Sequence, residues 1–249
     1  MQNLFFALLL FAGFSTAGAQ QDTARLLIDQ VVAAVGGQDA MYALHDIAYD
    51  LHARGGVSRE RYIFDGEASY GRSMTKEGQE KIQYFDGQHT MVTIGGKETT
   101  AEDEVNGAMF SRKTNFYWLT MMHKLADPGL VYTYGGTRTV NGIPYEIVDL
   151  TFEDGVGVAK DRYLLYINPY THLVDQFLFT VNAVGRSEPL LMKYWYDMVA
   201  EGVKFPVVRT YRPAADWGGE PAEGTEWGAA TYLTNFQVNQ GFTKETLLK

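Results

Sequence analysis

Residues 115–129 read NFYWLTMMHKLADPG, and this stretch decides the fold. Seven of its first eleven residues are aromatic, leucine or methionine, whereas Asp127-Pro128-Gly129 is typical of a helix end. A helix that is apolar around most of its circumference must be enclosed by other structure. The stretch therefore predicts a sheet curled around an apolar helix, an arrangement that can hold a hydrophobic guest.

The residues before this stretch indicate how the helix begins. Thr99 with Glu102, or Thr100 with Asp103, has the spacing of a capping box. The acids at 102–104 favour the positive end of a helix dipole, so they indicate a helix start before they indicate a metal site. Near Gly107, or over 111–114, we expect a break that leaves 115–125 as the apolar half.

On both sides of this helix the pattern changes to strands. Residues 46–54 alternate apolar and polar side chains, as a half-buried strand does. Residues 162–167 are apolar on both faces and must be covered on both. Tight-turn pairs recur at short intervals and predict an antiparallel meander, sandwich or barrel; they are Asp65-Gly66, Asp86-Gly87, Gly95-Gly96, Asn141-Gly142, Asp154-Gly155, Asn168-Pro169 and Glu201-Gly202.

The C-terminal part predicts a hairpin and a long loop. Residues 190–200 and 203–211 flank Glu201-Gly202, and a two-residue turn there places Tyr194 opposite Arg209. The Gly- and acid-rich stretch 214–226 contains Trp217 and precedes a last strand over 229–238. We expect no linker and no internal repeat.

The N-terminus predicts export. Residues 4–14 are apolar, and Ala17-Gly18-Ala19 fits the small-residue cleavage site of a secretory signal. The run is shorter than the ~20 apolar residues that span a bilayer. The first three residues carry no Lys or Arg, so an uncleaved anchor is the alternative. We predict a signal peptide at 1–19 with cleavage near Ala19, and a mature protein in the periplasm or outside the cell. The mature chain is expected to form a single domain over 20–249, with a first helix over 22–35 that ends at Gly36-Gly37.

Composition excludes several classes of chemistry. The 249 residues include no cysteine, so disulfides and thiolate sites are excluded. A net charge of −9 disfavours binding to nucleic acid and to anionic lipid surfaces. The five histidines lack the paired spacing of a zinc site, and 155–157 reads as a hairpin loop instead of a dinucleotide fingerprint. We predict no metal site and no cofactor.

Two features leave other functions open. Asp149 stands in an otherwise apolar strand, where it could act in catalysis or form a structural ion pair with Arg162. No G-x-S-x-G elbow supports a serine hydrolase, and we assign no catalytic residue. Arg54, Arg61, Lys193 and Arg209 could converge on an anionic head group or lie on solvated strand faces.

Several motifs together resemble a known family. They are A-A-V-G-G-Q-D-A at 33–40, N-F-Y-W at 115–118, L-A-D-P-G at 125–129, N-G-x-x-Y at 141–145, G-V-G at 155–157 and D-x-Y-x-L-Y-I-N-P at 161–169. They resemble exported proteins with the fold of the outer-membrane lipoprotein carriers, whereas residues 58–100 carry no match. The resemblance implies an α+β fold in which an incomplete antiparallel β-barrel wraps around helices and leaves a hydrophobic cavity. The resemblance also implies that the protein shields acyl chains from water and that it has no catalytic residues to assign.

We therefore predict a periplasmic protein that carries a lipid, a lipoprotein or another apolar ligand, and we favour a binding protein over an enzyme. The alternatives are an enzyme acting on envelope lipid or glycan through a cavity carboxylate, and an interaction module that uses its sheet edges or the Trp217 loop. The apolar helix either lines a ligand cavity or, as the alternative, fills the barrel completely and leaves no cavity. The expected ligand-binding residues are Phe116, Trp118, Leu119, Met122, Tyr163, Leu165, Phe177, Phe179, Met192 and Tyr194.

Overall fold

A computed structural model describes residues 13–155, 161–182, 185–200 and 202–247. The helices there are α1 (Gly13–Ala34), α2 (Gln38–Ala43) and α3 (Glu102–Thr120). The strands are β1 (Asp46–Ala53), β2 (Gly56–Ile63), β3 (Ala68–Met74), β4 (Glu80–Phe85), β5 (Thr90–Ile94), β6 (Lys97–Thr99), β7 (Leu130–Val140), β8 (Ile143–Phe152), β9 (Tyr163–Ile167), β10 (Val174–Val181), β11 (Arg186–Ala200), β12 (Val203–Pro213) and β13 (Thr231–Val238).

These strands form one antiparallel sheet in the order β6-β5-β4-β3-β2-β1-β13-β12-β11-β10-β9-β8-β7. Six of the seven tight-turn pairs lie between consecutive strands, as predicted, and Glu201 of the seventh pair lies outside the described residues. The chain runs from the middle of the sheet outward to β6, and α3 then joins β6 to β7. Since β6 and β7 are the two edges of the sheet, α3 connects one edge to the other.

The two faces of the sheet are buried in different ways. On the inner face one cluster joins α1 and the end of α3 to β7–β11, and a second joins α2 and α3 to β1, β2 and β12. Ile47, Tyr49 and Leu51 point inward and alternate with outward side chains, as the period of two predicted. The sheet is therefore an incomplete barrel with helices on its inner side.

The outer face of β8–β11 is covered by the long loop. Leu164 and Tyr166 pack outward with the side chains of Trp217 and Trp227, whereas Tyr163, Leu165 and Ile167 pack inward. All five residues of β9 are buried. The prediction that this strand is covered on both faces is confirmed, and the 214–228 loop supplies the outer cover.

Two predictions about α3 are wrong. Ala101 is the N-cap, no side chain caps the helix, and the Thr99 hydroxyl accepts a hydrogen bond from the Ala101 N–H instead. The helix runs without a break through Gly107 and Ser111 to Thr120. It gives way to a 3-10 turn over His123–Ala126, so only its last turns lie in the apolar half. Glu102, Asp103 and Glu104 do occupy the first turn.

The C-terminal end of α1 is fixed on the β11–β12 hairpin. Gly36 and Gly37 end the helix with φ of 109° and 89°, as predicted. The Val35 carbonyl accepts a hydrogen bond from the Lys204 N–H (2.9 Å) and one from the Nε2 of His123 (3.2 Å). Burial lowers the pKa of His123 to about 4, so its ring is neutral at pH 7 and donates this bond. These contacts satisfy carbonyl groups that every helix end leaves open.

The predicted leader falls largely outside the described residues. The predicted cleavage point at Ala19 lies within α1, and the helix begins before Asp22, where the sequence predicted its start. Among the described residues, no helix is both long and apolar enough to cross a membrane.

A pair of adjacent glycines tests the contact between α1 and the hairpin. A Cβ at Gly36 would overlap the carbonyl of Gly202, whereas a Cβ at Gly37 would meet no atom within 4 Å. Positive φ makes each alanine variant cost about 1–3 kcal/mol. We expect Gly36→Ala to lower the free energy of unfolding by at least ~2 kcal/mol more than Gly37→Ala, because the hairpin must move. Urea unfolding followed by circular dichroism measures both; equal losses would mean that the close approach is unimportant.

Candidate functional site

The ten residues predicted to bind ligand all come from the inner side of the fold. Nine are buried and Trp118 is half-buried. Eight of them belong to the cluster that joins α3 and α1 to β7–β11, whereas Phe116 and Leu119 belong to the cluster of β1, β2 and β12. The last turns of α3 therefore contact both inner clusters, as a helix apolar around its circumference requires.

Aromatic rings connect the helix to the middle of the sheet. The Trp118 ring lies 5.1 Å from Phe179 and 6.0 Å from Phe177, measured between centroids. Phe177 in turn meets the edge of Tyr194 at 5.0 Å, and the Tyr194 hydroxyl donates to the Trp118 carbonyl. Tyr117, which the sequence analysis did not select, packs against Tyr163 at 6.1 Å. Helix and sheet thus meet through large side chains.

The backbone distances agree with this picture. Within the described residues, Cα atoms of α1 or α3 come within 8 Å of β7, β8, β12 and β3–β5 at several positions, whereas they do so at few positions or none of β9–β11. The space above β9–β11 is filled by Trp118, Met121, Met122 and Met192 together with the phenylalanine rings of β10. Methionine and aromatic side chains form an adaptable apolar surface that can repack around a guest.

An open cavity lies elsewhere, in the half of the sheet for which the sequence analysis found no match. It has a volume of about 210 Å³ and lies between β1–β4 and α3. None of the ten predicted residues lines it. Its lining residues are Leu51, Ala53, Gly55, Gly56, Val57, Ser58, Glu60, Gly71, Ser73, Met74, Gln83, Ser111, Arg112 and Asn115.

A buried ion pair forms part of the cavity wall. Arg112 of α3 donates two hydrogen bonds to Glu60 of β2, from Nη1 to Oε2 at 2.5 Å and from Nη2 to Oε1 at 3.1 Å. The two side chains are 3% and 0% exposed. Burial would raise the pKa of Glu60, but the Arg112 charge and hydrogen bonds from Arg112, Ser58 and Tyr62 hold it below its usual value. Both groups therefore stay charged at pH 7.

Gly71 makes room for this pair. It lies opposite both Glu60 and Gln83 in the sheet, so these three residues share the inner face. A Cβ at position 71 would overlap the Arg112 guanidinium. Glycine inside a strand often marks such a close approach, and this is the signal from which the site could have been found. The sequence alone gave no reason to pair Gly71 with a helix about forty residues later.

The other candidate groups lie outside the interior. Asp149 forms a bidentate ion pair with Arg162 on the outer face of β8, so it does not support catalysis in an inner cavity. The structural pair predicted as its alternative is confirmed. Arg162 also lies 4.2 Å above the Trp217 ring, which places that ring against the outer face.

The four basic residues considered for an anionic head group do not converge, and Arg54 is exposed in the turn between β1 and β2. Tyr194 lies opposite Arg209, as predicted, which puts Arg209 on the inner face. Lys193 lies on the other face, above the Trp227 ring, and Arg61 lies between Tyr70 and Phe242. Within the described residues, no cluster of three or more His, Cys, Asp or Glu side chains is arranged to hold a metal ion.

This architecture matches that of a solved structure. A DUF1329 family protein from Desulfovibrio piger superposes with a TM-score of 0.51 over 90% of this chain and 96% of its own, at 12% identity. The two proteins share a fold. The predicted α+β fold, an incomplete antiparallel barrel around helices, is confirmed.

Other comparisons give weaker likeness or none. A LolA superfamily protein from Nitrosomonas europaea superposes with a TM-score of 0.49 at 12% identity, over 91% of this chain and 97% of its own. A putative outer membrane lipoprotein-sorting protein domain from Vibrio parahaemolyticus has the same TM-score and coverages at 7% identity. The sequence matches no protein-family model, and no curated protein matches it.

The buried pair makes a testable contribution to stability. Removing one partner leaves an uncompensated buried charge, so Arg112→Met or Glu60→Leu should each lower the free energy of unfolding by about 3–5 kcal/mol. Replacing both, as Glu60→Leu with Arg112→Met, should cost much less than the sum. Urea unfolding measures this cycle.

The half-exposed pair of the outer face is the matched control. Arg162→Met should cost about 1 kcal/mol or less, because water already screens this pair. Additive losses at Glu60 and Arg112 would contradict the interpretation that the two charges stabilise each other.

Proposed function

We propose that this protein binds the acyl chain of a lipid or lipoprotein, or an apolar ligand of similar shape, between its helices and the middle of its sheet. The observation that carries the proposal is that methionine and aromatic side chains, and not closely packed backbones, connect α3 to β9–β11. Such side chains can change rotamer and open room for a chain without unfolding the sheet.

The energetics suit a carrier in water. Burying a twelve-methylene chain contributes about 10 kcal/mol, at ~0.8 kcal/mol for each methylene group. Part of this free energy is offset by the contacts that the displaced side chains lose. The rings of Tyr117 and Trp118 are half-buried members of the cluster that belong to α3, so we place the entry of the chain there. The ten residues predicted from the sequence are the proposed contacts.

The proposed site of action is the periplasm or the exterior, after removal of the leader near Ala19. Support comes from the apolar run and the small-residue cleavage pattern of the first 19 residues. Acyl chains in that aqueous compartment require shielding. The proposal assigns no catalytic step, and its partner is the lipid or lipoprotein.

Tryptophan fluorescence provides a direct test. Among the four tryptophans, Trp118 belongs to the inner cluster, Trp217 and Trp227 pack on the outer face, and Trp195 points away from the interior. A dibrominated stearic acid bound inside should quench Trp118 by contact. We expect titration with this acid to lower the emission of the wild-type protein.

Two variants locate the quenching. Trp118→Phe should abolish most of it, whereas Trp195→Phe should leave it unchanged. Quenching that survives in Trp118→Phe would place the acid outside the proposed site, and absence of any quenching together with absence of co-purifying lipid in native mass spectra would refute the function.

A pair of neighbouring residues tests which face binds. Met192 and Leu191 are both buried in β11, but Met192 points into the inner cluster and Leu191 into the outer one. Met192→Gln places an amide against the ligand and should weaken fatty-acid binding by roughly tenfold or more, since an unpaired buried amide costs about 1–3 kcal/mol. Leu191→Gln makes a comparable change on the other face and should leave the dissociation constant unchanged. Equal weakening would indicate a general loss of packing.

A further inference from the structure

The cavity between β1–β4 and α3 contains polar groups without partners. The side chains of Ser73, Gln83, Ser111 and Asn115 line it and are half-buried. Within the described residues, none of these four side chains makes a hydrogen bond to the protein. The Nε of Arg112 is a buried donor that also has no partner. Partly desolvated hydroxyl and amide groups gain most from a ligand that both donates and accepts hydrogen bonds.

The charges of the cavity are balanced. Arg112 and Glu60 neutralise each other, and nearby Lys81 is paired with Glu104. A charged head group would lose its hydration and find no unpaired counter-charge there, which is costly. The cavity therefore fits an uncharged ligand.

The size and position of the cavity narrow the class further. Its volume of about 210 Å³ corresponds to about seven water molecules at ~30 Å³ each, enough for a glycerol or a hexose ring. Ser111, Arg112 and Asn115 occupy the helical turn that precedes Phe116 and Leu119. Leu51 and Ala53 connect the cavity wall to the same inner cluster as these two residues. A polar group held here lies at the beginning of the apolar interior.

We propose that this cavity binds an uncharged polyhydroxyl group, glycerol or a sugar, which is the head of the amphiphile whose chain occupies the interior. The inference rests on the proposed function for the chain, but the head-group site makes its own prediction. The side chains that recognise the hydroxyl groups are Ser73, Gln83, Ser111 and Asn115, and the ion pair keeps α3 in place beside them.

The test compares two uncharged dodecanoate esters, one whose alcohol part carries two hydroxyl groups and one whose alcohol part carries none. Isothermal titration calorimetry with monododecanoylglycerol and with methyl dodecanoate should show roughly tenfold tighter binding of the glycerol ester, as one or two added hydrogen bonds provide. The double variant Gln83→Leu/Ser111→Ala should lose this preference and keep its affinity for methyl dodecanoate. Gln237→Leu, the same amide replacement at an exposed position of β13, should keep the preference.

A second arm uses free glycerol and glucose, with nuclear magnetic resonance of the side-chain amides of Gln83 and Asn115 as the readout. Shifts of these amides in the wild-type protein that disappear in Ser73→Ala/Ser111→Ala would support a site for free polyols. Equal affinity for the two esters, with no shifts in this arm, overturns the inference even if the chain binds. If the wild-type protein binds neither ester but its Gln83 and Asn115 amides still shift with glycerol or glucose, the acyl-chain function is refuted and the polyol site is retained.

Discussion

The structure depends on one constraint, which is that α3 must connect the two edges of a single open sheet across its inner face. Because β6 and β7 are consecutive in the chain but lie at opposite edges, the helix between them cannot rest on one neighbour only. Its last turns contact two separate inner clusters, through Phe116 and Leu119 on one side and Tyr117 and Trp118 on the other. A helix with a single apolar stripe would leave one cluster open to water. Because the helix crosses between two clusters, its sequence needs apolar side chains on several sides, which explains the dense run of aromatic and methionine residues.

The two halves of the inner surface use this helix differently. Near β9–β11 the space is filled by long side chains that have several rotamers, which permits repacking around an apolar guest. The helix approaches β3–β5 closely, and a cavity lined by the pair Arg112–Glu60 and by uncharged polar side chains remains between α3 and β1–β4. Along α3, the polar side chains that face the cavity come first and the apolar side chains of the interior follow. The polar head and the apolar chain of an amphiphile would contact the helix in the same order. This order joins the proposed head-group site to the proposed function.

Much of the fold could be predicted from the sequence because local rules govern it. Turn pairs such as Asn141-Gly142 require positive φ and mark hairpins wherever they occur, and the apolar run of β9 shows that both of its faces are covered. The capping box at Thr99 failed because Thr99 belongs to strand β6 and lies two residues before the N-cap Ala101, whose N–H donates a hydrogen bond to its hydroxyl instead. The cavity was missed for a different reason. Glu60, Gly71 and Arg112 come from three elements, and the glycine is informative only once α3 is known to lie above it. The ten expected contacts lie inside, but a sequence pattern does not distinguish a filled interior from an open one.

The buried ion pair resolves a difficulty that the apolar helix creates. Hydrophobic contact is non-directional, so the last turns of α3, which are apolar around their circumference, do not define a rotation by burial alone. A bidentate guanidinium–carboxylate pair has one geometry, and at Arg112 that geometry is reached only over the space left by Gly71. Burying two charges costs desolvation that their attraction does not always recover, so stability alone is a weak reason for the pair. Its specific effect is to fix the rotation and the position of α3 along the sheet. With that rotation fixed, Trp118 faces β10 and Ser111 and Asn115 face the cavity, which places both halves of the proposed site in register.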